Sequence, residues 1–421
     1  MTVLDDARAL LATGPLCDPC LGRPFAERSH GLTNRERGRA LRVAVALDDD
    51  ESFAPPDETC RVCAGHASEY DAWAERAANA LADTEFATYL VGTRPPPDLA
   101  DRERSAREQA DLPADAGESF RSECNREVGK RLGDRTDATV DFERPDVTVL
   151  VDFERSTVDV ERNPAFVYGR YRKLERDVAQ TDATCSACGG RGSVWREGEA
   201  RPCEQCGGTG RLAETSVEEL VCPPVREAMR GREAVFHGAG REEAAALVLG
   251  SGRPFVVEVK APRRRTPDLS ALADAVAERA GGRVEVEALA IAEREMVDRV
   301  KETRLRQRFR LELSFDDGVD AAAFDDAVAT LDGERVRQRS EATAEERTRT
   351  LRDVTGEFGD GTATLEFAVD AGTDVPAVAT GERTDPSLAD RLGVDVAVTA
   401  VDVVGVTARD GSFEDTPLLG A

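Results

Sequence analysis

Eight cysteines of this chain fall into four Cys-x-x-Cys pairs: Cys17/Cys20, Cys60/Cys63, Cys185/Cys188 and Cys203/Cys206. Such a pair puts two thiolates on one tight turn, and two pairs supply the tetrahedral four-sulfur shell that zinc prefers. The order along the chain predicts two zinc modules, Cys17/Cys20 with Cys60/Cys63 and Cys185/Cys188 with Cys203/Cys206. The bland alternative is chance pairs of buried thiols, which sits badly with how sparse cysteine is elsewhere. Both pairs of the second set are followed by two glycines, whose backbone freedom lets N–H groups turn back toward sulfur. Four thiolates leave no position for a catalytic water, so both modules are expected to be structural. Cys124 and Cys222 stand alone and read as small buried apolar side chains.

Other candidates are few. His30, His66 and His237 are the only histidines. His66 lies three residues past Cys63 and is a spare ligand at most, because the four-cysteine set is complete without it. His237 precedes a glycine turn, which suits a structural or RNA-contacting role better than acid–base work. Arg170, Tyr171, Arg172 and Lys173 concentrate bases and an aromatic in one stretch. That combination suits phosphate contact plus stacking on RNA, and a solvated turn is its plain alternative. Arg263, Arg264 and Arg265 form a second basic cluster.

These residues belong to a chain of 421 residues with a formal net charge of -26 and a pI near 4.7. That length implies two to four domains with ample cores. Lys130, Lys173, Lys260 and Lys301 are the only lysines, and arginine supplies the remaining cations. Acidic residues are dispersed among apolar periodic stretches, unlike a disordered acidic tail. This is the pattern of a salt-adapted, haloarchaeal surface, heavily hydrated and screened by strong salt. It leaves a nucleic-acid partner possible but excludes binding through bulk positive charge. The first 14 residues lack the basic-then-apolar pattern of a secretory signal. No run of about 18 apolar residues marks a membrane span. A cytoplasmic protein is expected, whose reduced thiols read as metal ligands before disulfides.

The elements follow from spacing and turn chemistry. Residues 1–66 are Cys-rich and irregular, with one helix over Asn34–Ala46 capped by Thr33 or Asn34. Residues 67–160 predict a small α+β domain: helices over Glu69–Ala82 and Glu118–Leu132, strands over Phe86–Gly92, Asp146–Phe153 and Thr157–Glu161. Residues 161–215 read as a basic segment followed by the second cysteine cluster. Residues 216–421 alternate strands, at 254–259, 284–290, 309–315, 363–369 and 394–406, with helices at 269–280, 292–302 and 321–331. The fold class is α+β, ending in a mixed sheet with helices packed on it.

Several stretches then stand out in order: Leu16–Ala26, His30–Asn34, Cys124–Lys130, Tyr168–Leu174 with Gln180 and Thr181, Ser216–Leu220, Phe236–Glu242 and Gly252–Lys260. Together they resemble the archaeal tRNA pseudouridine synthases of the Pus-ten type, over nearly the whole chain. The resemblance implies an N-terminal zinc module (1–66), a THUMP-like RNA-binding domain (67–160) and a pseudouridine-synthase domain (216–421). It implies tRNA as partner, uridines 54 and 55 of the T arm as targets, and no organic cofactor. No membrane and no obligate protein partner is expected.

The family places its nucleophilic aspartate directly after Gly-Arg-Glu. Here Gly240-Arg241-Glu242 is followed by Glu243 and then Ala244, Ala245 and Ala246. Glu243 and Arg241 are therefore the catalytic candidates. The extra methylene shifts the carboxylate by more than about 1 Å, a misplacement that can cost on the order of 10²-fold. Phe309 matches a family tyrosine at the uridine, keeping the ring and losing the hydroxyl. Arg253, Lys260, Arg170, Tyr171, Arg172 and Lys173 are the other substrate-binding candidates. The later Tyr-Lys-Glu motif has no match near Thr373–Val375, and only Arg383–Leu388 remains of that stretch. Three departures at once imply impaired catalysis, with a non-catalytic tRNA-binding paralogue as the alternative. The second cysteine cluster by itself resembles the CxxCGxG repeats of J-domain co-chaperones, which would imply a chaperone-like binding module. No J-domain precedes it.

Overall fold

The computed structural model describes residues 2–196, 198–315, 318–339, 346–359, 361–409, 411, 413–415 and 418–419. The chain folds into two compact units, Met1–Asn163 and Pro164–Ala421. In the first unit the order is α1 (Val3–Ala12), α2 (Asp18–Gly22), α3 (Asn34–Asp48), α4 (Tyr70–Leu81), β1 (Thr88–Arg94), α5 (Leu99–Gln109), α6 (Phe120–Thr136), β2 (Thr139–Val140), β3 (Val147–Asp152) and β4 (Thr157–Arg162). The four strands form one sheet in the order β2-β1-β3-β4. Thr33 caps α3, and Glu36 returns the bond to the Thr33 backbone, a reciprocal capping box. The cysteine turns share a core with the sheet domain: Cys20, Cys60, Cys63, Trp73, Phe120 and Val149 belong to one buried cluster. The division expected near residue 66 thus falls inside a single core. Two glycines allow this at the metal end. A Cβ on Gly22 would lie 1.9 Å from the Asn34 carbonyl oxygen, and one on Gly38 would lie 1.9 Å from that of Asp18. Helices α2 and α3 therefore cross with their backbones in contact.

The second unit begins with β5 (Ala165–Lys173) and β6 (Val178–Ala179). The hairpin β7 (Ser193–Arg196) and β8 (Glu199–Pro202) separates the last two cysteine pairs. There follow β9 (Thr215–Ser216), α7 (Val217–Ala228), β10 (Glu233–Gly238), β11 (Val248–Lys260), α8 (Leu269–Ala280), β12 (Val284–Ala292), α9 (Glu295–Glu302), β13 (Leu305–Phe315), α10 (Ala321–Leu331), β14 (Arg335–Arg339), β15 (Glu346–Thr350), β16 (Arg352–Gly359), β17 (Thr362–Asp370), α11 (Val375–Thr380), β18 (Thr384–Asp385), α12 (Leu388–Leu392), β19 (Val396–Ala408) and β20 (Leu418–Leu419). The main sheet runs β16-β17-β13-β19-β11-β5-β12-β20, with β10 also on β11. Helices α7, α8 and α9 contribute to a core around β5, β11 and β12, and α10, α11 and α12 to a second around β13 and β17. The predicted bounds of α8 and α10 match residue for residue, since Asp268 and Asp320 cap their first turns. Among the described residues no helix is long and apolar enough to cross a membrane.

The largest departure from expectation is β5. Predicted as part of a basic segment, Ala165–Lys173 is an inner strand paired with β11 on one side and β12 on the other. Nearly every residue in it is buried, so the alternation that marks a half-exposed strand is missing. Of its three charges Lys173 is fully buried, while Arg172 pairs with Glu285 at the surface.

Candidate active site and metal centres

The eight paired cysteines converge as two sets. In each set the four sulfurs lie within 4.8 Å of one another, so each could hold a metal ion. In the first, Cys17 is the N-cap of α2 and Cys20 lies in its first turn. The Cys60–Cys63 turn closes on it, with the Ala64 N–H donating to the Cys60 carbonyl at 2.8 Å. Arg23 is fully buried behind this set. Its Nη2 donates to Cys20 Sγ at 3.1 Å, its Nε to Glu103 at 3.1 Å and its Nη1 to Glu123 at 3.0 Å. One guanidinium thus ties the cysteine turns to α5 and α6. His66 stands apart from the sulfurs, hydrogen-bonded to Glu69 at 3.0 Å and set edge-on to Phe153.

The second set is built from two similar turns facing each other. The Cys185 N–H donates to the Gly210 carbonyl and the Cys203 N–H to that of Gly192, both at 2.9 Å. A Cβ on Gly192 would sit 2.3 Å from the Gly208 oxygen, and one on Gly210 would sit 2.4 Å from the Gly190 oxygen. The Gly210 N–H also donates to Cys206 Sγ at 3.2 Å, an N–H···S contact from a glycine just beyond the Gly207–Gly208 pair. Cys124 and Cys222 are buried elsewhere, and burial pushes both thiols up to about 12.

The loop from Gly240 to Leu247, between β10 and β11, is anchored along its length. Glu242 is buried. Its carboxylate forms an ion pair with the Arg253 guanidinium, 2.7 Å from Nε, and accepts the Tyr171 hydroxyl at 2.8 Å. Gln180 donates to the Gly240 carbonyl and to the Tyr171 oxygen, both at 2.9 Å. Arg253 Nη1 donates to the Ala239 carbonyl at 2.7 Å and Nη2 to Gln307 at 3.1 Å. Lys173 Nζ reaches the carbonyls of Val178 at 2.7 Å and of Glu243 and Ala244 at 3.0 Å each. Arg176 donates to the Ala245 carbonyl and to Asp402, each at 2.7 Å, and Asp402 accepts the Leu247 N–H at 2.8 Å. Burial, and then the Glu242 charge, hold the Tyr171 phenol well above its ordinary range, so it stays a donor. Burial pushes the Lys173 ammonium down to about 8, against Glu242, which favours the charged form.

The neighbour of Glu242 is treated differently. Glu243 is exposed, and with Arg241 it lines a cleft of about 600 Å³ whose wall includes Gln180, Thr184, Ser186 and Leu212. The structure therefore fixes a backbone through buried pairs and presents one carboxylate and one guanidinium to an open cleft. That is a geometry suited to a positioned nucleophile or base.

Alternation along β5 explains the basic stretch. Tyr171 and Lys173 point to one face and into the loop's anchor. Arg170, on the other face, donates to the Ser251 and Val406 carbonyls, and Arg172 pairs with Glu285 at 2.8 Å. Tyr171, Lys173 and Arg253 are each 0 % exposed. The expectation that these three touch substrate is corrected: they position the loop. Lys260 lies at the end of β11 away from the loop and pairs with Glu233 at 2.9 Å. Phe309 shares a face of β13 with Leu305 and Gln307, half-buried against Phe367 at a ring separation of 6.4 Å. It is in register with Val403, whose N–H donates to the Leu247 carbonyl at 2.9 Å. It does not line the cleft with Glu243. Sequence reasoning missed Glu242, Asp402 and Arg176 as anchors. Asp402 did leave a signal, a lone charge inside the apolar run of β19. His237 pairs with Glu258 at 3.0 Å.

A family model described as Pus10 THUMP domain, archaeal, matches residues 73–152, and one described as Pus10, C-terminal, matches residues 166–407. The fold and site thus define a protein with an archaeal THUMP domain joined to the C-terminal domain of that family. The tRNA pseudouridine synthase Pus10 of Halorubrum lacusprofundi is 49% identical over 98% of both chains. Those of Methanothrix thermoacetophila, at 35% over 96% of this chain and 94% of its own, and Methanopyrus kandleri, at 32% over 96% and 98%, are also similar. The chain belongs to the Pus10 family. Its likeness to a solved Cbf5-Nop10-Gar1 complex is slight, with a TM-score of 0.29 and 12% identity over 46% of each chain.

Proposed function

We propose that this protein is a cytoplasmic tRNA pseudouridine synthase acting on uridines 54 and 55 of the T arm, slowed by its own substitutions. The observation that carries it is the anchored Gly240–Leu247 loop with Glu243 facing the cleft. The reaction moves the ribose C1′ from N1 to C5 of the same base, so it needs no cofactor. It needs a flipped uridine and a carboxylate beside it. Glu243 supplies the carboxylate from a backbone set for aspartate, and Arg241 lies beside it to meet a phosphate or a carboxylate. Incubation with unmodified tRNA in strong KCl, followed by chemical mapping of pseudouridine, tests the proposal. Product at 54 or 55 is expected, and tight binding with no product would replace it by the tRNA-binding paralogue. The extra methylene of Glu243 favours that second reading.

Zinc is the ion proposed for both cysteine sets. Four thiolates about 2.3 Å from one zinc ion stand about 3.8 Å apart. The Cys17–Cys63 sulfurs are 3.6 Å apart, and the Cys185–Cys203 and Cys188–Cys206 sulfurs 3.8 Å. When bound, the ion closes each pair of turns into a structural knot. Thiol modification of the purified protein is expected to release two equivalents of zinc, and a folded, metal-free protein would refute the assignment.

A further inference from the structure

The hairpin between the last two cysteine pairs carries a side chain that neither the metal nor the isomerisation explains. Its strands pair from Ser193 with Pro202 to Arg196 with Glu199. Val194 packs on the sulfur cluster, so alternation sends Trp195 to the opposite face. Trp195 is 75% exposed, whereas the other tryptophan, Trp73, is 4% exposed in the core of the first unit. Across the hairpin from Trp195 is Ala200, and the next pair on that face is Ser193 with Pro202. These small side chains leave the indole uncovered. A single exposed aromatic is ordinary, but two further observations concern this one. Arg196, across from Glu199, and Arg201, across from Val194, lie on the hairpin's other face in a strongly acidic chain. Among the described residues Arg196 pairs with Glu204 at 3.7 Å, both side chains mostly solvated, and such a pair is worth little. In addition, Thr184, Ser186 and Leu212 of the same module wall the cleft that holds Glu243.

We infer that Trp195 is a stacking platform for an unpaired base of the RNA substrate, presented by the metal-braced module that walls the catalytic cleft. The inference rests on the proposal that this chain binds tRNA. An unpaired nucleobase is the occupant that fits an open indole on the module that walls the cleft proposed to take a flipped uridine. Stacking also suits the salt-adapted surface. Phosphate contacts lose affinity steeply as salt rises, because the counterions they release are already abundant. The contact between a base and an indole releases none.

Two tryptophans make the test direct. In Trp73→Phe, the remaining fluorescence comes from Trp195. Titration with unmodified tRNA in strong KCl is expected to quench it and to shield it from acrylamide. Should that variant fold poorly, the difference signal between wild type and Trp195→Phe reports the same event. Trp195→Ala is expected to raise the Kd for tRNA about tenfold, within the roughly 5- to 150-fold span set by one stacked base. Trp195→Phe should keep most of the affinity, and both should retain wild-type zinc content. An unchanged Kd in Trp195→Ala, with the indole still open to acrylamide in the complex, overturns the inference and leaves tRNA binding standing. Indole protection that rises with protein concentration and ignores RNA also overturns it, assigning the surface to a second copy. Wild-type protein that fails to bind tRNA removes the proposed function itself, and this inference with it.

Discussion

On its buried side the Gly240–Leu247 loop is held at nearly every residue, by Tyr171, Lys173, Arg176, Gln180, Arg253 and Asp402. On its open side it offers Glu243 and Arg241 to a cleft and otherwise has small alanines. The buried side holds a demanding set of charges, Glu242 with Arg253, Asp402 with Arg176, and Lys173 on backbone carbonyls. On the function proposed above, the open side is where Glu243 would meet the uridine. Anchors of this kind are coupled through desolvation, so any single loss is costly. An exposed carboxylate carries no such penalty and is free to change. The difference teaches that stability and chemistry are separable within eight consecutive residues.

The largest expected effect breaks the buried side. Glu242→Ala leaves the Arg253 guanidinium buried without its carboxylate, which should destabilise the second unit by about 3–5 kcal/mol, read as a lowered urea midpoint. Next, Glu243→Asp gives the carboxylate the reach that the family resemblance implies, on an unchanged frame. Pseudouridine formation should then rise by about 10²-fold in single-turnover assays, and no rise would show that the frame itself is unfit. A smaller effect concerns Lys173. Its folded pKa is lowered to about 8 from 10.5, so between those values the unfolded chain holds a proton the folded chain has shed. Stability relative to Lys173→Met should therefore rise with pH from about 8 to 10.5, and fall as pH drops through 8. Denaturation curves across that range check the sign. The smallest effect sharpens the contrast: Glu243→Ala should leave the unfolding free energy, read from urea curves, within about 0.5 kcal/mol of wild type.

Much of this was legible in the sequence, for physical reasons that differ by residue. The cysteine turns were plain because metal binding demands a fixed short spacing. Helices α3, α8 and α10 were plain because caps and apolar period agree there. Strand β5 was hidden because an inner strand covered on both sides shows no alternation, and because its charges imitate a surface segment. Glu242 was overshadowed by its neighbour. In a run of two glutamates, the sequence does not say which is turned inward, and the answer depends on Arg253, which arrives from β11. The role of Tyr171 was misread for the same reason. A tyrosine between arginines suits RNA stacking, but here its hydroxyl is needed by a buried carboxylate.

The account stands or falls on Glu243. Wild type, Glu243→Ala and Glu243→Asp should be incubated with the same unmodified tRNA in strong KCl, and pseudouridine at positions 54 and 55 followed over time. The expected result is slow product with wild type, none with Glu243→Ala, and faster product with Glu243→Asp, at equal tRNA affinity throughout. Product formed by Glu243→Ala at the wild-type rate would contradict it.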